Sequence, residues 1–204
     1  MSVSNARALL AQAAEEPNRV QRHLLVAAAM REVLGHEPIV VGGTAEDLYA
    51  GGVYVETDLD LVCPFPSQDE KTLLLELGFE LEGRHFFHSP SHVAVEFPGE
   101  TLAGDQARVV RRPIGVGWFA VIGVDDLYLD RIRQATAYPD WRRSREFVSA
   151  FAVSLAAFED IDWGYVEHKV KERGPDDPGG MLEIHKAVRR KTLAALRDPP
   201  EPGR

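Results

Sequence analysis

The sequence predicts an α+β fold, with a core over residues 1–124 and a helical region over residues 125–198 packed on it. Two observations lead there. Short strand-like runs crowd the stretch from Ile39 to Ile122, interleaved with helical patterns, whereas beyond residue 124 apolar residues recur only at helical spacing. No internal repeat relates the two regions, so they are not copies of one unit. A chain of 204 residues has room for one large domain or one domain with an appendage.

The elements follow in order. Asn18 with Gln21 three residues on forms a capping pattern for a helix whose Val20, Leu24, Ala27 and Ala28 share a face, with Gly35 as its expected C′ residue. Ile39-Val40-Val41 is a buried-strand run stopped by Gly42-Gly43. Thr44 with Asp47 predicts a second cap and a short helix to Ala50, ended by Gly51-Gly52. Asp58 to Val62 alternates like a strand, and Pro64 and Pro66 close it. Ser67 with Glu70 caps a helix carrying Leu73, Leu74 and Leu77 that stops at Gly78. Phe79–Leu81 and Arg84–His88 form a hairpin around Glu82-Gly83, and Val93–Phe97 adds a strand with Val93, Val95 and Phe97 on one face. Arg108–Arg111 and Trp118–Ile122 complete the strands. Helices are expected over 125–137, 141–159, 163–173 and 181–196, and a proline-rich tail, 199–204, is expected to be disordered.

Composition narrows the function classes. Hydrophobic residues are 45% and charged residues 27%, the balance of a globular protein, and no apolar run approaches the roughly 20 residues of a membrane span. Glutamates interrupt the N-terminus before a signal-like apolar core forms, and Cys63 is the only cysteine, so a cytoplasmic protein without a disulfide or thiolate metal cluster is expected. The net charge of −9 is unevenly spread: residues 1–100 carry six Lys/Arg against sixteen Asp/Glu, residues 101–204 seventeen against sixteen. That balance disfavours sequence-specific DNA binding by the C-terminal helices. The acidic excess sits where a metal site could use it.

Asp58 and Asp60, two apart on a strand, point to the same face about 6.5–7 Å apart, with Leu59 and Leu61 turned to the opposite one. At an effective dielectric near 20 such carboxylates repel by roughly 2.5 kcal/mol, a cost that a divalent cation between them would relieve. Magnesium suits such oxygen ligands. Four acidic pairs of this spacing occur in the chain, so the pair by itself carries little. Its context carries more: a strand, Gly42-Gly43-Thr44, a short helix, then Asp-Leu-Asp on the next strand. Glycines let backbone approach a phosphate, and a helix start offers it free N–H groups, although Glu46 and Asp47 in the first turn would repel it.

VVGGTAEDLYAGGVYVETDLDLV, followed by HVAVEF, resembles the polymerase-β-like nucleotidyltransferase superfamily, and in texture the small bacterial nucleotidyltransferases related to abortive-infection toxins. The likeness is good over about 39–97, weaker to 135 and absent beyond. Threonine stands where serine is common, and glutamate where the third acid is usually aspartate. The resemblance implies a core of mixed sheet flanked by helices. It implies Asp58, Asp60 and Glu96 as catalytic and metal-binding carboxylates for Mg2+ or Mn2+. It also implies Gly42, Gly43 and Thr44 as holders of the NTP, and Arg131, in DDLYLDRI, as a basic residue facing its phosphates. The implied reaction moves a nucleotidyl group from an NTP, such as ATP, to a hydroxyl of an RNA, a protein or a small molecule such as an antibiotic.

Plainer readings stand beside these. Thr44 can be a helix cap alone, Asp58, Asp60 and Glu96 solvated strand residues, and Arg131 an ion-pair partner. His85, His88 and His92 read as surface histidines, Cys63 as a small core residue, and Trp118, Phe147, Phe151 and Trp163 as packing. A different functional class also remains open: a catalytically silent nucleotide-binding or toxin–antitoxin interaction module of the same fold.

Overall fold

The structure, a computed structural model, describes residues 2–51, 58–172 and 180–198. The expected tail at 199–204 and Gly52 lie outside the described residues. The chain divides into two compact units, Met1–Leu48 with Tyr54–Gly123, and Tyr49–Val53 with Val124–Arg204. Among the described residues no helix is long and apolar enough to cross a membrane.

The first unit is α+β. Helix α1 (Val3–Glu15) is capped by Ser2, whose hydroxyl accepts from the Asn5 N–H at 3.3 Å, and α2 (Arg19–Val33) by Asn18, which accepts from the Gln21 N–H at 3.0 Å. Helix α2 leaves through Leu34 in extended backbone, not through a left-handed Gly35. The Gly35 N–H instead donates to Glu70 Oε1 at 2.6 Å, which ties the end of α2 to the start of α4 (Gln68–Glu76). Glu70 closes the expected capping box with Ser67, and these bonds hold its carboxyl below the usual carboxylate range despite the opposing pull of burial.

Among the described residues, seven strands form one mixed sheet: β1 (Ile39–Val40), β2 (Asp58–Val62), β3 (Phe79–Glu82), β4 (His85–His88), β5 (Val93–Glu96), β6 (Val110–Ile114) and β7 (Gly117–Val121), in the order β3-β4-β5-β2-β1-β7-β6. Strand β1 runs antiparallel to β2 and parallel to β7, and β2 runs parallel to β5. Alternation does what the pattern demands: Leu59, Leu61, Val93, Val95 and Phe86 are wholly buried. Helix α2, buried along most of its length, lies across the sheet against β2, β5, β6 and β7. At about 25 cal/mol per Å² of apolar surface, each fully buried leucine contributes roughly 2 kcal/mol. Cys63 is buried here and its thiol is pushed up to about 12, chiefly by desolvation and then by Glu70, so it is an inert core residue.

The second unit is helical: α5 (Val124–Ala135), α6 (Arg145–Ala156), α7 (Trp163–Glu172) and α8 (Met181–Arg197). The single helix expected over 141–159 is broken. Trp141–Arg143 makes a 3-10 turn, and Ser144, in extended backbone, accepts from the Phe147 N–H at 3.1 Å and so caps a new helix. Tyr128 lies fully buried at the centre with its hydroxyl 3.0 Å from His185 Nδ1 and Trp163 edge-on at 5.5 Å. Ser154 and Thr192 share a 2.6 Å hydrogen bond between α6 and α8.

Candidate active site

The parallel pairing of β2 with β5 sets Asp58 beside Ala94, Leu59 beside Val95 and Asp60 beside Glu96. Neighbouring strands lie about 4.8 Å apart, and residues in register share a face. Asp58, Asp60 and Glu96 therefore occupy the face opposite the buried leucines, and all three are half-buried. Across β5 from Asp60 stands His85, whose Nδ1 is 2.9 Å from Glu96 Oε1. Among the described residues, no three His, Cys, Asp or Glu side chains converge as a group that could hold a metal ion. The register thus aligns the carboxylates, while the Glu96 side chain is engaged by His85.

The Gly-Gly-Thr segment meets this face at one point. Antiparallel pairing carries β1 into Val41, whose N–H donates to the Asp60 carbonyl at 3.1 Å, and the next residue is Gly42. Gly42 has φ +63°, and a Cβ there would lie 2.1 Å from Asp60 Oδ2. Any side chain here would be strained by the left-handed backbone and would have to displace the Asp60 carboxylate. The turn and the acidic strand are built against each other.

Helix α3 (Gly42–Ala50) starts three residues earlier than the capping pattern predicts, which corrects the reading of Thr44 as its N-cap. Thr44 sits within the first turn and has no exposed surface; its hydroxyl lies 2.8 Å from His23 Nδ1 on α2. Gly43 is buried too, and Gly42 is half-exposed. Of the three residues expected at the triphosphate, Gly42 is thus the one with an open surface, and Thr44 fastens α3 to α2. His23 is pushed down to about 4, first by burial and then by Arg19 and Arg22, so the ring is neutral near pH 7. The expected repulsion by Asp47 is also answered, since Arg19 forms an ion pair with its carboxylate.

The remaining candidates disperse. His88 is buried beside Ser91, with its Nδ1 2.8 Å from the hydroxyl, and desolvation holds its pKa below the usual histidine range. His92 adopts φ +53° at the end of a 3-10 turn. Arg131, half-buried on α5, donates through Nη1 to Gln134 Oε1 at 3.3 Å, and its role toward phosphate rests on the resemblance alone. Asp125 and Asp126 of the same segment are structural: they accept from the Asp162 N–H at 2.6 Å and the Tyr165 hydroxyl at 2.7 Å.

The sequence reading missed three contributors. Arg19 and His23 recur four residues apart on α2, on the face that also buries Ala27 and Met30. Polar residues inside an apolar stripe were the available signal. His85 was visible only through hairpin register, which sets it beside β5.

No family model matches the chain, and no curated protein matches it. Among solved structures, the antibiotic-resistance factor ANT(2'')-Ia is similar at 17% identity, over 83% of this chain and 90% of that one, with a TM-score of 0.41. A likeness of that degree decides nothing about this chain.

Proposed function

We propose that the chain is a nucleotidyltransferase working on the β2–β5 face. One observation supports this above others: Asp58, Asp60 and Glu96 share that face, and the glycine turn expected to meet a nucleotide is moulded onto the Asp60 carboxylate. The donor set is all carboxylate oxygen, half-exposed and adjacent, which suits Mg2+ or Mn2+. Asp58 and Asp60 would hold the cation, with Glu96 completing the set once released from His85. When bound, such a cation neutralises the triphosphate and the departing pyrophosphate.

The chain's own residues do the rest. Gly42 leaves room for the Asp60 carboxylate beside the start of α3, where helix N–H groups favour the phosphates. The His23–Thr44 bond and the Arg19–Asp47 pair keep that start in place. Glu96 accepts the proton of the acceptor hydroxyl as its oxygen bonds to the α-phosphorus, and the bond to the β-phosphate oxygen breaks. The acceptor is an RNA, protein or small-molecule hydroxyl.

The test is incubation with each α-labelled NTP, magnesium and a cell extract. Wild type should yield a labelled product, and D58N/D60N none. No label with any NTP, together with equal NTP binding by wild type and variant, would overturn the reading. A second reading, the silent nucleotide-binding module, is favoured by the engagement of Glu96 with His85. It expects NTP binding that depends on Asp58 and Asp60 without transfer.

A further inference from the structure

The helical unit has a surface of its own that the proposed reaction does not use. A groove of about 600 Å³ runs along α7 and α8, with Leu182, Leu193 and Ala194 as its apolar lining. Lys171, Lys186, Arg189, Arg190 and Arg197 line it, against Glu167 as the one acid among the lining residues. Partial neutralisation is local: Glu167 lies 3.8 Å from both Lys171 and Arg189, and Lys186 bonds Glu183 at 2.9 Å. Arg189 also stacks over Trp163, with its guanidinium carbon 4.5 Å from the ring centroid. Arg190 and Arg197 are exposed. The near-zero balance of residues 101–204 conceals this, because the charge is sorted by element: α8 carries five Lys/Arg and one acid over Met181–Arg197.

The cations on α8 set the kind of ligand. Lys186, Arg189, Arg190 and Arg197 fall within twelve residues, eleven steps or about 16 Å at 1.5 Å per residue, an average of about one positive charge per 4 Å. A nucleic acid strand carries a phosphate every few ångströms, about 3.4 Å along one strand of B-form DNA. A peptide, at about 3.3–3.6 Å per extended residue, reaches that density only if nearly every residue is acidic. The apolar lining adds a second requirement. A duplex presents sugar and phosphate outward, whereas an unpaired strand also has base faces to lay on Leu182 and Leu193. His185, which also lines the groove, is buried, and desolvation followed by Arg189 pushes its pKa down to about 4, so it adds no charge near pH 7.

We infer that the α7–α8 groove binds the phosphodiester backbone of a single-stranded nucleic acid, without reading its sequence. The inference stands apart from the proposed transfer reaction and does not depend on it. Both RNA and DNA carry this backbone, and the experiment separates them. Fluorescence anisotropy with a labelled 20-nucleotide single-stranded RNA, the same sequence as DNA, the matching duplex and polyglutamate is measured on the full chain over a range of salt. The single strands should bind more tightly than duplex and polyglutamate. If five cations each displace a counterion, log Kobs should fall against log salt with a slope of about −3.5. The exposed pair R190E/R197E should weaken binding at least tenfold with an unchanged circular dichroism spectrum. R190Q/R197Q should lower the steepness of the salt slope by about 1.4. An RNA preference would assign a contact to the 2′-hydroxyl. No single-strand binding at low salt, binding unaffected by both variants, or tighter binding of polyglutamate would overturn the inference.

Discussion

The two faces of β2 and β5 differ sharply. On one, Leu59, Leu61, Val93 and Val95 have no exposed surface; on the other, one residue along the same strands, stand Asp58, Asp60 and Glu96. Side-chain alternation lets one strand pair carry the fold on one side and charge on the other. Stability and chemistry are therefore separable by substitution, and the contrast can be tested from its most stabilising residue to its least.

The apolar face should give the largest loss. Leu61 is buried in a central strand, so Leu61→Ala removes a packed side chain and leaves a cavity, costing about 2–5 kcal/mol of unfolding free energy as measured by urea denaturation. A loss under about 1 kcal/mol would show that this face is not the core.

The next effect is one of acid, at the α2–α3 contact that supports the turn. The unfolded chain takes up a proton on His23 near pH 6.5, and the folded chain resists it until about 4. This contribution to stability is therefore intact above pH 6.5, falls as acid is added, and levels off below about 4. Wild type should lose about 2.5 kcal/mol more than His23→Gln between pH 7.5 and 4.5. The comparison with the variant cancels the carboxylates that titrate in the same range. Parallel curves would mean that the ring is free to protonate in place.

Gly42 joins the turn to the acid face. Gly42→Ala must hold an L-residue at φ +63° and displace the Asp60 carboxylate, so about 1–3 kcal/mol should be lost along with NTP binding. If the variant is as stable as wild type and binds NTP equally, the turn has no part in the site.

These expectations show what the sequence made legible. Strand alternation exposed the Asp58/Asp60 face, and the Ser67–Glu70 box fixed α4, because both are local rules with short periods. The start of α3 was misplaced because Thr44 is claimed by His23, twenty-one residues away, and a tertiary partner overrides a capping pattern. The break at Ser144 was local but hidden, since Phe147, Phe151, Leu155 and Phe158 keep helical spacing across the sequence that follows it. The Glu96–His85 pair needed the β4–β5 register, which no single strand contains.

Neutralising the two aspartates should move stability little and in the opposite sense. Their repulsion of roughly 2.5 kcal/mol holds at an effective dielectric near 20, and solvent screens two half-exposed carboxylates further, so D58N/D60N should gain at most about 1 kcal/mol. Calorimetry with Mn2+ and a non-hydrolysable NTP should show binding by wild type that vanishes in this variant. Equal binding would remove the metal assignment.

Glu96→Gln should perturb the fold least, and it separates the enzyme from the silent module. The Glu96–His85 contact joins two side chains that are 30% and 39% exposed, and such pairs contribute about 0–1 kcal/mol. A thermal shift beyond that range would make Glu96 a structural residue. If Glu96 accepts the acceptor's proton, the amide still fills the space but takes up no proton, so kcat should fall at least tenfold with the apparent Kd for NTP nearly constant. His85→Ala removes the competing partner. In the enzyme it frees the carboxylate for the metal face, and Mn2+ binding should tighten. In the silent module Glu96 only caps His85, so neither substitution changes Mn2+ or NTP binding and no transfer is there to lose. Tighter Mn2+ binding in His85→Ala that disappears in the H85A/E96Q double variant would assign Glu96 to the metal face, independently of any knowledge of the acceptor.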